Sequence, residues 1–154
     1  VMFFSKVEIM SLIHLIYVST ARQEYATPEL EEILDSSARH NQPQDVTGML
    51  LYMEGCFVQV LEGEAEVVDE TYQRIQADPR HFGLIELARE EIEQRSFAQW
   101  SMGFACVTEE EIRAHPSFAP FFTHGFDPAS IGAHPGLALD VLKSFGLRQQ
   151  GWSS

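Results

Sequence analysis

Apolar positions recur along the chain with two periods. Leu12 to Val18 (LIHLIYV) puts Ile13, Leu15 and Tyr17 on one side and Leu12, His14, Ile16 and Val18 on the other, the spacing of a strand. The stretch Ser19-Thr20-Ala21-Arg22-Gln23 is polar enough to end it. Thr27-Pro28-Glu29 signals a helix start, with Thr as cap, Pro at the first helical position and an acid in the first turn. Leu30, Ile33, Leu34 and Ala38 then follow helical spacing, which predicts a helix from about Pro28 to His40, stopped by Asn41-Gln42-Pro43. Val46 to Met53 predicts a second strand, and Glu54-Gly55 a tight turn into a third that runs to Gly63, so the two form a hairpin. Glu64 to Ala77 predicts a second helix whose inner stripe is Val67, Val68, Thr71, Tyr72 and Ile75. Leu84 to Ile92 predicts a charged fourth strand at or near an edge, and Trp100 to Val107 a fifth.

The order β-α-β-β-α-β-β is the ferredoxin-like, split-βαβ arrangement with one strand added, an α+β fold. It implies a five-stranded mixed sheet with two helices on one face. Thr108-Glu109-Glu110-Glu111 caps a short helix, Pro116 to Pro120 is a break, and Pro135 to Phe145 reads as a helix ended by Gly146. Leu137, Leu139, Val141, Leu142 and Phe145 suit that segment to the sheet face the other helices leave open. The expected division is an extension over 1–11, a domain over 12–107 and a helical tail over 108–154. Met10 is a candidate natural start.

Composition narrows the function classes. A chain of 154 residues, 45% hydrophobic, can bury one real core. Its net charge of −13 opposes nucleic-acid backbones and anionic membrane surfaces as partners. No run approaches the roughly 20 apolar residues of a spanning helix, and the N-terminus lacks the parts of a secretion signal. Cys56 and Cys106 both lie in apolar runs without metal-ligand spacing and read as small core residues of a reducing compartment. The expected location is cytoplasmic. The phosphate-loop, dinucleotide, nucleophile-elbow and zinc-helix motifs are all missing, and the six histidines have no ligand spacing, so no metal site and no catalytic set is expected.

One residue does not fit its surroundings. Gln59 sits in the third strand on a face shared with Phe57 and Leu61, while Cys56, Val58 and Val60 point the other way. Its amide has two donors and two lone pairs to satisfy. Either a neighbouring protein group does so, or a ligand with donors and acceptors of its own. Tyr17, Asn41, Arg80, His81, Trp100 and Met102 are likewise open to ordinary readings as core, helix end or solvated loop. Tyr17, Gln59 and Asn41 could nevertheless converge on one pocket between the helices and the sheet.

With these residues in view, the chain resembles the BLUF domain, the flavin-based sensor of blue light that uses FAD. The resemblance runs from about Leu12 to Phe104 through LIYVS (15–19), the HN pair (40–41), TGMLLY (47–52), FVQVLEG (57–63), TYQRIQADPRH (71–81) and FAQWSM (97–102). It implies FAD held non-covalently between the two helices over the sheet. Tyr17 matches the family's redox-active tyrosine, Gln59 its switching glutamine and Ser19 a serine near the tyrosine. Asn41 matches the asparagine that hydrogen-bonds the flavin's polar edge, and His40 stands where members carry His or Asn. Arg80 and His81 match residues lining the flavin site, with Phe57 and Asp78 beside them. Trp100 and Met102 match two residues held to trade places near the glutamine. By the same resemblance, light drives electron and proton transfer from Tyr17 to the flavin, Gln59 rearranges, and strand 5 passes the change to the tail and a separate signalling protein. Stand-alone members are often oligomers, so self-association is implied too. Removing 108–154 is then expected to spare the flavin chemistry and abolish the output. A light-insensitive, flavin-free interaction module on this fold and a small enzyme are the competing readings.

Overall fold

Two split βαβ units share one sheet. The computed structural model describes residues 11–53, 55–108, 110–111, 114 and 135–148. Its elements are β1 (Leu12–Ala21), α1 (Thr27–Asn41), β2 (Thr47–Met53), β3 (Cys56–Glu64), α2 (Ala65–Gln76), β4 (His81–Glu91), β5 (Gly103–Cys106) and α3 (Pro135–Arg148). The strand order is β4-β1-β3-β2-β5. The first four strands pair antiparallel and β5 joins β2 in parallel, which gives the mixed five-stranded sheet and puts β4 at an edge. Gly55, at φ 89°, sits in the turn of the β2–β3 hairpin, where a side chain would be strained.

Several element ends differ from expectation. β1 continues through the polar Ser19, Thr20 and Ala21, because Ser19 and Thr20 pair with Phe57 and Cys56 of β3. Ladder pairing outweighs local polarity there. The cap of α1 is Ala26, not Thr27, and the Glu29 carboxylate accepts its N–H at 3.0 Å. β4 starts at His81, three residues early, through pairing of His81 with Ala21. β5 starts at Gly103, so Trp100 and Met102 precede the strand. Gly146 lies inside α3.

The two faces of the sheet carry separate cores. Ile13, Leu15, Tyr17, Phe57 and Leu61 pack under α1 and α2 with Leu30, Leu34, Val68 and Tyr72. Ile16, Val18, Met49, Leu51, Val58 and Val60 pack on the far face with Phe97, Trp100 and α3's Ala138, Val141 and Leu142. The helix over 135–148 therefore covers the face that α1 and α2 leave open. Cys56 is buried, but Cys106 is exposed at the end of β5 and is no core residue. At 108–111, Thr108 Oγ1 accepts the Glu111 N–H at 3.1 Å and the Glu111 carboxylate accepts the Thr108 N–H at 3.2 Å, a reciprocal helix cap. The expected extension over 1–10 and break at 116–120 lie outside the described residues.

Candidate functional site

Strand register builds the centre of the site. Tyr17 of β1 and Gln59 of β3 are direct partners in the antiparallel ladder, so both side chains leave the same face side by side. Both are almost fully buried. The Tyr17 hydroxyl donates to Gln59 Oε1, which turns the amide nitrogen the other way, to donate to the Met102 sulfur at 3.3 Å. A thioether is a weak acceptor, and an amide nitrogen carries two protons. The glutamine is thus held at its oxygen end and weakly answered at its nitrogen end, beside open space.

That space is a cleft between α1 and α2. Its inner part, about 380 Å³ of non-atom space open to solvent, is lined by Tyr17, Ile33, Leu50, Phe57, Gln59 and His81 among others. Its outer part, about 920 Å³, runs from Gln59 and Asn41 past Ser36, Ser37 and Arg74. Ser37, Gln59, Ile75, Asp78 and Arg80 line both. Apolar walls with a few polar groups are the ordinary make-up of a small-molecule site.

The flanking residues are fixed by local bonds. Asn41, buried at the end of α1, donates its amide to the Ser101 carbonyl at 3.2 Å, beside Met102. Ser19 Oγ lies 2.7 Å from His81 Nδ1, and His81 Nε2 lies 2.7 Å from the Ile75 carbonyl oxygen. A carbonyl only accepts, so Nε2 bears a proton, and in the neutral ring Nδ1 accepts from Ser19. His81 thereby ties the end of α2 to β1 two residues from Tyr17, its ring edge-on to both Tyr17 and Phe57. Arg80 and Asp78 form a bidentate pair at the cleft wall, with contacts of 2.5 to 3.0 Å. Burial alone would raise the Asp78 carboxyl, but the hydrogen bonds and charge of Arg80 outweigh it and hold it below the ordinary range.

Burial pushes the Tyr17 phenol far above the ordinary tyrosine range, and the neighbouring Tyr72 and Asp78 add to the effect. Tyr17 is a neutral hydrogen-bond donor at any physiological pH. Burial first, and the charge of Arg74 second, lower the pKa of His40.

Of the residues singled out in the sequence, Tyr17, Gln59, Asn41, Phe57, Asp78, Arg80 and His81 line this cleft, and Ser19 and Met102 stand behind it, bonded to His81 and Gln59. Two others do neither. His40 is half-buried on α1 and is not among the lining residues. Trp100 belongs to the far-face core, stacked on Phe97 with ring centroids 6.1 Å apart. Gly103 leaves room for it: a Cβ there would stand 2.4 Å from the indole. Met102, not Trp100, is the neighbour of the glutamine. Sequence reasoning missed Ile33, Ser36, Ser37, Leu50 and Arg74. The available signal was the Ser36-Ser37 pair on the face of α1 that ends in Asn41, four to five residues on.

The fold and cleft define a ferredoxin-like ligand-binding domain whose ligand would meet a tyrosine–glutamine pair. Comparison with known proteins makes the class specific. The family described as "Sensors of blue-light using FAD", BLUF, matches residues 12–103. Over 107 residues the chain is 34% identical to the photoactivated adenylate cyclase subunit beta of Euglena longa, covering 69% of this chain and 12% of that protein. It is 38% identical over 88 residues to the blue light- and temperature-regulated antirepressor BluF of Escherichia coli K12, covering 57% of this chain and 22% of that one. The chain thus spans about an eighth to a fifth of these relatives. Among solved structures, the dark state of the BLUF protein BlrB is 31% identical with a TM-score of 0.64, covering 86% of this chain and 98% of that one. The BlsA ground state is 27% identical with a TM-score of 0.69, covering 86% and 87%. The chain belongs to the BLUF family of flavin-based blue-light sensors. The cleft's chemistry fits such a group, since Gln59 lines it and its amide nitrogen has only a thioether for an acceptor. Among the described residues no helix is long and apolar enough to cross a membrane, and no cluster could hold a metal.

Proposed function

We propose that this domain is a blue-light sensor that holds FAD in the α1–α2 cleft and reads its excitation through Tyr17 and Gln59, without catalytic turnover. The observation that carries this reading is the chain from the Tyr17 hydroxyl to Gln59 Oε1 and from Gln59 Nε2 to the Met102 sulfur, at the floor of the cleft. FAD is proposed on the family's description; the BlrP1 structure described with FMN shares the fold, so the ring system is the common element.

A bound flavin supplies a blue-light-excitable acceptor of one electron and one proton. Tyr17 would provide both, a role supported by its being a buried neutral phenol whose proton points along a hydrogen bond. Gln59 answers the change at Tyr17. If its amide turns or changes tautomer, the donor and acceptor ends exchange, and the Met102 sulfur loses its donor. A hydrogen bond altered in so dry a site is worth about 1 kcal/mol or more, enough to bias a two-state element. Asn41 and Arg80 would hold the polar edge of the ring, while Phe57, Asp78, His81 and Ser19 set the position of Tyr17 and the cleft wall. Met102 and Trp100 stand two residues apart with their side chains in opposite cores, and α3 sits on the core that contains Trp100. The route to a downstream signalling protein therefore runs from Gln59 through Met102 and Trp100 to α3.

An absorbance spectrum of the purified chain, dark and under blue light, tests the reading. A flavin band that shifts slightly to the red and recovers in darkness is expected, and Tyr17→Phe should keep the flavin and lose the shift. A chain that stays colourless with added FAD, or a normal shift in Tyr17→Phe, would overturn it.

A further inference from the structure

The outer part of the cleft carries a set of donors that the protein itself does not use. Arg74 on α2 and Ser36 and Ser37 on α1 line it from opposite sides. Among the described residues none of the three side chains has a hydrogen-bond or ion-pair partner. The other arginines near carboxylates behave differently: Arg80 pairs with Asp78, Arg89 with Asp69 and Arg95 with Asp45. Arg22 and Arg39 likewise form no ion pair among the described residues, but neither lines the cleft, where Arg74 is the guanidinium without a carboxylate. Arg80 is neutralised at the same cleft by Asp78, so the uncompensated positive charge of the outer cleft is that of Arg74.

From these facts we propose that Arg74, with the Ser36 and Ser37 hydroxyls opposite, forms an anion subsite that recognises the phosphate of a phosphorylated flavin. The inference rests on the flavin reading above and deepens it: the cleft would select flavin nucleotides over the unphosphorylated vitamin. The chemistry is that of a planar cation and two hydroxyl donors meeting phosphate oxygens, where charge-assisted hydrogen bonds are strongest. The inner cleft, with its apolar walls and Gln59, serves the ring alone and makes no distinction among riboflavin, FMN and FAD. Because Arg74 is exposed, solvent and salt temper its contribution, and an effect of about tenfold in affinity is expected.

The test is a titration of the full chain, freed of flavin, with riboflavin, FMN and FAD at low and high salt. Arg74→Ala should weaken FMN and FAD about tenfold, leave riboflavin within about twofold, and flatten the salt dependence, with Arg74→Lys recovering part of the loss. Weakening of FMN and FAD alike would place the first phosphate at the subsite, and weakening of FAD alone the second; either supports it. Equal loss for all three flavins, or no loss for any, would overturn it, since a merely structural residue would not separate riboflavin from its phosphates. Failure of the wild-type chain to take up any flavin would instead bring down the photoreceptor reading itself.

Discussion

Replacing Glu62 with alanine should destabilise the domain by about 3 kcal/mol, a large share of the roughly 5–15 kcal/mol that holds a domain together. The carboxylate is fully buried at the end of β3, three residues from Gln59. Its Oε1 accepts from Thr47 Oγ1 at 2.9 Å and from the Phe97 N–H at 3.0 Å, and its Oε2 accepts from the Ser96 N–H at 2.6 Å. Hydrogen bonds to a charged group contribute about 1.5–3 kcal/mol each, but not additively. Ser96 is exposed, so water replaces its partner, whereas the buried bond to Phe97 has no such substitute. Arg95 keeps its own bond to Thr47 Oγ1 at 2.8 Å and limits the loss there. That leaves a net cost of about 3 kcal/mol, set by the buried Phe97 N–H and the Thr47 hydroxyl that lose a charged acceptor. For a chain of this size the midpoint of thermal unfolding should fall by about 6–12 °C. The assay is urea or thermal unfolding at one fixed flavin concentration, since bound ligand adds stability by mass action. Glu62→Gln keeps an acceptor at Oε1 for Thr47 and Phe97 but loses its charge and sets an NH2 against the Ser96 N–H, so it should be milder than Glu62→Ala. A loss under about 1 kcal/mol in Glu62→Ala, or equal damage from Glu62→Gln, would refute the reasoning. The consequence for the site is direct, because this carboxylate pins the segment that carries Trp100 and Met102.

Further outcomes follow from the same geometry. Gln59→Leu removes the acceptor of the Tyr17 hydroxyl and the donor to Met102, so it should abolish the light-induced shift and cost about 1–3 kcal/mol in unfolding experiments. Tyr17 holds its proton in the folded state above the unfolded pKa of about 10, so this contribution to stability is complete below about pH 10 and declines as pH rises beyond it. The difference in phenolate absorbance between the wild type and Tyr17→Phe during alkaline titration should show Tyr17 ionising only with unfolding, and a difference appearing in folded protein near pH 10 would contradict this. Removing 135–154 uncovers Ile16, Val18, Met49 and Val60 on the far face, so dye binding and aggregation should rise and unfolding should come earlier. This cost falls on stability because α3 completes the far-face core, and it is separate from the expected sparing of the flavin chemistry on the other face.

Much of the fold could be read from periodicity, because one-sided burial stamps itself on the sequence. The alternation in β1 and β3 assigned Tyr17, Phe57, Gln59 and Leu61 to one face, and the two cores divide on that line. Where local signals misled, a partner strand was the reason. Ser19 and Thr20 are polar yet extended because β3 and β4 flank them, and Ser19 satisfies its hydroxyl on His81. Trp100 and Met102 continue the apolar run of β5, but β2 pairs only with 103–106. Apolarity cannot tell a paired residue from one that merely plugs a core.

The site was legible in its residue types and not in its wiring. A glutamine among apolar neighbours announces that some polar group faces it, but the group is chosen by register, and register is a property of two strands. Once β1 and β3 pair with Tyr17 opposite Gln59, the phenol has one acceptor within reach, and the orientation of the amide follows from it. Met102 then takes the nitrogen end only because Trp100, the bulkier residue, is already seated in the far core against Phe97, where Gly103 leaves room for its ring. The order of dependence runs from the glycine to the tryptophan, from the tryptophan to the methionine, and from the methionine to the glutamine. A change at any of these positions should therefore be felt at the Tyr17–Gln59 bond, including changes made on the face of the sheet that the cleft does not touch.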